Sequence, residues 1–176
     1  MDTLIEQLFN AVDSLNEQAI LCCIKKGADL NTLDKYGFSV FARLTMASRL
    51  NFSYNEIGTK EQEGQMLEED LKKIEFMKLL ISYGSDVNLY DEDGHTALDI
   101  SAGQAKVEVV KFLLESGSNP NFNFYFPDEP GCENVHSSIL HTALSDVSAS
   151  YLEDVSVKYE KIVLLLQKHG AVLYKT

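Results

Sequence analysis

The sequence has no long apolar run, few basic residues and few cysteines. Ile162-Val163-Leu164-Leu165-Leu166 is far too short for a membrane span, which takes about 20 residues. Lys plus Arg number 15 against 27 Asp plus Glu, a formal net charge of −12. A field of that sign repels phosphate backbones and excludes nucleic acid as a general partner. It either keeps the chain soluble or attracts and orients a basic protein. Cys22 and Cys23 are adjacent and Cys132 lies far away, which is no disulfide framework and suits a reducing compartment. Residues 1–12 have no basic n-region, and Asp2 and Glu6 interrupt their apolar stretch. The chain is therefore expected to lack a secretion signal and to work in the cytoplasm. Without such a signal, Asn51-Phe52-Ser53 means little as a glycosylation acceptor.

Signatures of ligand chemistry are missing as well. Glycines never cluster into a phosphate-cradling loop. Asp86-Val87-Asn88-Leu89-Tyr90-Asp91 starts like a calcium loop, but it lacks the glycine at the sixth place, and Ala97 replaces the terminal Glu. Cys132, His136 and His141 match no closed zinc pattern. Cys22 and Cys23 lie in a helical packing stripe and read as core. No cofactor, metal or catalytic residue is expected. The remainder is ordinary for one globular domain: 176 residues, 45% hydrophobic and 24% charged.

What the chain does have is an internal repeat. Residues 75–88, EFMKLLISYGSDVN, align without a gap with 108–121, EVVKFLLESGSNPN, 33 residues on. Residues 18–31, QAILCCIKKGADLN, and 161–171, KIVLLLQKHGA, give two more copies. Each is an amphipathic helix followed by Gly27, Gly84, Gly117 or Gly170, the place of a left-handed helix cap. A tight turn runs into a helix start at Asp91-Glu92-Asp93-Gly94-His95-Thr96-Ala97-Leu98 and again at Asp34-Lys35-Tyr36-Gly37-Phe38-Ser39-Val40-Phe41. Ser138-Ile139-Leu140-His141-Thr142-Ala143 repeats the helix start. Thr or Ser at its head can cap the helix through its hydroxyl, and Ala11, Ala102 and Ala143 let neighbouring helices approach closely.

This 33-residue unit of one turn and two helices resembles the ankyrin repeat over nearly the whole chain. The resemblance implies an all-α ankyrin solenoid: one domain over 1–176, with four helix-turn-helix repeats at about 1–33, 34–90, 91–123 and 124–176, short β-turn fingers and two insertions. Stacking buries what no unit can bury alone. Leu8, Phe41, Leu98 and Leu140 should form one internal row. Ile20, Cys23 and Ile24, then Met77, Leu80 and Ile81, then Val110, Leu113 and Leu114 should form another. Asp2 and Thr3 read as a polar N-terminal cap. Ala171-Val172-Leu173-Tyr174 lacks the polar D-x-N of the other copies and reads as a C-terminal cap.

The glycine spacings of 57, 33 and 53 residues imply insertions of about 24 and 20 residues. One lies around 48–70 and holds Phe52 and Tyr54; Met66, Leu67, Leu71 and Ile74 have the spacing of a helix within it. The other is split between 121–132 and 148–157. Its first piece carries Phe122, Phe124, Tyr125 and Phe126, which either anchor a partner or pack beneath the finger.

By the same resemblance, binding falls to the turn tips and the exposed side of each first helix. The partner-binding residues expected are Lys35, Tyr36, Phe38 and Met46; Tyr90, Glu92, Asp93, His95 and Gln104; and Phe124, Tyr125, Ser145 and Asp146. His141, at the family's histidine place, is expected to tie adjacent turns by hydrogen bonds. The implied function is non-enzymatic: occlusion of one basic protein partner, such as a toxin or effector, with no nucleic acid, no membrane and a monomer when free. The irregular repeats resemble small bacterial ankyrin proteins, some of which neutralise toxins as immunity proteins. A scaffold or adaptor, a host-directed effector, or an enzyme with an unrecognised site are the alternatives.

Overall fold

The computed structural model describes residues 3–46, 60–121, 123–124, 137–149 and 153–173. The side chains at 123, 124, 137, 146–149, 153 and 154 lie outside that description. So do Phe52 and Tyr54 of the first insertion, Phe122, Tyr125, Phe126, Cys132 and His136 of the second, and the terminal Asp2 and Tyr174.

The described residues form four helix pairs: α1 (Leu4–Asp13) with α2 (Glu17–Lys25), α3 (Val40–Met46) with α4 (Lys60–Ser82), α5 (Ala97–Gly103) with α6 (Val107–Glu115), and α7 (Ile139–Ala149) with α8 (Glu153–Lys168). Their starts are written locally. Thr3 Oγ1 accepts the N–H of Glu6, whose carboxylate accepts that of Thr3 in return. Asn16 caps α2, Ser39 caps α3, Thr96 caps α5 and Ser138 caps α7, each through a side-chain oxygen on the N–H three residues on. One antiparallel ladder pairs β1 (Asn123–Phe124) with β2 (Ser137–Ser138), Asn123 opposite Ser138 and Phe124 opposite Ser137.

The pairs stack as a solenoid. α1, α3, α5 and α7 pack in succession as one layer, and α4, α6 and α8 as a second. Leu8, Phe41, Leu98 and Leu140 are buried as a continuous row. Ile20, Cys23, Met77, Leu80, Val110, Leu113 and Leu114 are buried too, with Ile24 and Ile81 packed half-exposed against them. Ala11, Ala102 and Ala143 are buried where first helices meet. Tyr159 reaches from α8 to the end of α5, its hydroxyl donating to the Gly103 carbonyl at 2.8 Å.

α4 departs from a simple apolar face. Ile74 is buried, but Met66, Leu67 and Leu71 are exposed. The inward positions of that stretch are filled by Glu69, Asp70 and Lys73 instead; Lys73 is only 2% exposed and meets Glu69 at 2.7 Å. His141 is exposed on α7, and residues 125–136, which bear on its expected tie between turns, lie outside the described residues.

A second set of contacts runs along one edge. Gly27, Gly84, Gly117 and Gly170 end their helices at φ between +85° and +93°. Four residues past each of the first three stands an asparagine whose amide clamps the next pair. Asn31 Nδ2 donates to the Gly84 carbonyl while its Oδ1 accepts from Asp86 N–H. Asn88 does the same to Gly117 and Asn119, and Asn121 to Gly170 and Val172. Asp29, Asp86 and Asn119 hold these asparagines in place, each accepting the N–H two residues on. The clamp skips 53, 29 and 49 residues and makes the same geometry each time.

Candidate partner-binding surface

Two finger turns lie side by side. In the first, Asp34 Oδ1 accepts the N–H groups of Tyr36 at 2.8 Å and Phe38 at 3.0 Å, and Asp34 N–H bonds the Phe38 carbonyl. In the second, Asp91 Oδ1 accepts from Asp93 at 3.1 Å and His95 at 2.7 Å, and Asp91 N–H bonds the His95 carbonyl. The fingers are docked through Glu92 N–H on the Gly37 carbonyl at 3.0 Å. Gly37 sits at φ +82°, and a Cβ there would come within 2.6–2.8 Å of the Glu92 side chain. Arg43 on α3 steadies the first finger, 3.6 Å from Asp34 Oδ2, while its other end bonds Asp13 on α1.

The docked fingers present an exposed edge. Tyr36 is 62% and Tyr90 54% exposed. Lys35 Nζ lies 5.0 Å from the centre of the Tyr36 ring. Lys35, Glu92 and Asp93 are exposed, and Phe38 and His95 are half-buried. Backbone groups occupy Asp91, so the near approach of Asp91, Asp93 and His95, within 4.8 Å, reads as a hydrogen-bonded turn and not as a metal site.

Met46 and Gln104 lie elsewhere. They sit at the far ends of α3 and α5 and line a cleft of about 380 Å³ with Met66, Glu69, Asp70, Lys73 and Lys106. Lys106 donates to the Thr45 carbonyl and lies 3.6 Å from Asp70. Burial raises the Asp70 carboxyl above its ordinary value against the pull of Lys106 and Lys73. Burial also lowers the Lys106 ammonium, and Lys73 adds to that. The cleft is thus floored by ion pairs and rimmed by methionine. Ser145 is exposed on α7; Asp146 lies in α7 and Phe124 in β1, their side chains outside the described residues, as is Tyr125.

The surface expected from the sequence therefore divides into a finger group (Lys35, Tyr36, Phe38, Tyr90, Glu92, Asp93, His95) and a helix-end group (Met46, Gln104). One residue absent from that expectation belongs with the fingers. Asp99, in the first turn of α5, puts Oδ2 3.8 Å from His95 Nε2. Burial raises its carboxyl to about 6, opposed by His95 and reinforced by Asp91. Aligning Thr96-Ala97-Leu98-Asp99 with Ser138-Ile139-Leu140-His141 would have found it, since Asp99 stands at the histidine place of the motif.

Residues 70–124 match the family model for ankyrin repeats (3 copies). That stretch of the chain is ankyrin repeat. A curated protein of Fowlpox virus (strain NVSL), named as an ankyrin repeat protein, is 31% identical over 123 residues, 65% of this chain. The chain spans about 65% of the length of that relative. The relative is viral, and neither comparison carries the bacterial likeness read from the irregular repeats. Among the described residues, no helix is long and apolar enough to cross a membrane.

Proposed function

We propose that the chain binds one protein partner, basic in character, and occludes it along the ankyrin finger edge. The observation that supports this is the pairing of two exposed tyrosines, Tyr36 and Tyr90, with the exposed carboxylates of Glu92 and Asp93 on turns locked to each other. Tyrosine offers a large contact area and a polar tip at small entropic loss. Carboxylates beside it favour a cationic surface, and the net charge of −12 would steer such a partner from a distance. A toxin neutralised by an immunity protein is the narrower form of this reading.

The test is affinity purification from the native host followed by kinetics on the captured partner. One dominant partner is expected. The variant Tyr36→Ala/Tyr90→Ala should weaken its binding at least tenfold and leave the melting temperature within a degree or two of the parent. The association rate should fall steeply with salt, since screening sets in beyond about 8–10 Å. A salt-independent rate, or a loss of stability equal to the loss of binding, would sink the reading.

A further inference from the structure

His95 bridges two parts of the third helix pair. Its Nδ1 lies 3.7 Å from Asp91 Oδ1 on the finger, and its Nε2 3.8 Å from Asp99 Oδ2 on α5. Both ring nitrogens thus face carboxylates, whose side chains are only 4% and 14% exposed. A neutral imidazole carries one ring proton and can donate to one of them; an imidazolium can donate to both. Other charges nearby are committed or solvated. On the finger edge Glu92, Asp93 and Lys35 are exposed, and Arg43 on α3 is held by Asp13 and Asp34. On α6, Lys106 is held by Asp70 and Thr45, Glu108 is half-buried, and Lys111 and Glu115 face solvent. On α7, His141 is exposed.

We propose that the third finger is a proton-sensitive element of the binding surface: a proton taken up among Asp91, His95 and Asp99 closes these groups on one another and loosens the hold on a basic partner. The inference rests on the basic-partner reading above. Its direction follows from charge. Falling pH adds a proton, removes negative charge beside Glu92 and Asp93, and engages the carboxylates internally. The Asp99 carboxyl, raised to about 6 by burial, places the change in mildly acidic conditions.

The probe is rhodamine-labelled deca-lysine, whose ammonium groups stay charged throughout. Its affinity is read by fluorescence anisotropy at pH 7.5 and pH 5.5 at fixed low ionic strength. One charge neutralised about 7 Å from a bound cation changes affinity about threefold in a water-like dielectric, and two change it about tenfold. The parent should therefore bind about three to ten times more weakly at pH 5.5. His95→Gln/Asp99→Asn should bind with little dependence on pH, and His95→Gln alone should keep part of it. An equal pH response in the double variant overturns the proposal, provided its amide NMR spectrum shows the parent fold. Failure of deca-lysine to bind the parent at pH 7.5 overturns the basic-partner reading and the proposal with it. Carboxyl-carbon NMR of the free protein separates the two: an Asp99 midpoint below pH 5 overturns the switch even where deca-lysine binds.

Discussion

Asp99→Asn replaces a mostly buried carboxylate with a neutral amide of nearly the same shape. The carboxyl rises from 3.8 to about 6 in the folded protein because burial outweighs the attraction of His95. The folded state therefore holds the proton more tightly than the unfolded chain. The stabilisation from protonation is fully present below the unfolded value, near 4, and is lost as pH rises through 6. A shift of about two units corresponds to about 3 kcal/mol of destabilisation once the group is ionised. Asparagine stays neutral at every pH and escapes that penalty. Asp99→Asn should therefore stabilise the protein by about 3 kcal/mol at pH 8, by about 1 to 2 kcal/mol at pH 5, and by progressively less below that. At pH 8 the gain would appear as roughly 6–12 °C in melting temperature for a chain of this length. The assay is urea unfolding of parent and variant side by side between pH 5 and pH 8, a range that stays above the isoelectric point near 4.7. A variant no more stable than the parent at pH 8, or a gain that does not shrink on acidification, would refute the argument from burial.

Three further outcomes follow from the packing. Asn88→Ala removes both hydrogen bonds of one clamp and should cost about 1–3 kcal/mol in urea unfolding; a neutral effect would show that the amide ladder only decorates the stack. Lys73→Met leaves the buried Glu69 carboxylate short of its partner and should cost about 3–5 kcal/mol, while Lys73→Met/Glu69→Leu should recover most of it; no recovery in the double variant would place the loss in packing and not in charge. Gly37→Ala should destabilise more than Gly84→Ala, because both glycines have positive φ but only the former meets a neighbour, Glu92; equal losses would show the finger contact to be slack.

The helix pairs were readable because their information is local. Apolar spacing, a hydroxyl at the helix start and a glycine past the end recur within each copy, and the structure uses them that way at Ser39, Thr96, Ser138 and the four cap glycines. The candidate surface was readable only in part. Tyr36 and Tyr90 are exposed as expected because turn tips cannot be covered by the stack. The separation of Met46 and Gln104 from the fingers was hidden, since it depends on which end of a helix a residue occupies across the stack. Asp70, Lys73 and Lys106 were hidden for a related reason. Charges at inward positions look like solvated residues until distant segments are brought together, as Lys106 and Thr45 are across 61 positions. The role of Asp99 was legible in principle, by carrying the alignment one residue further.

The asparagine clamps bear on how such a chain can change. Each one measures distance from backbone to backbone and ignores how much sequence lies between, so links of very different length register with one spatial step. The edge that keeps the units in phase is thus separate from the links that vary. Residues can be gained or lost in those links without renegotiating the stack, and recognition is free to drift while the scaffold stays put.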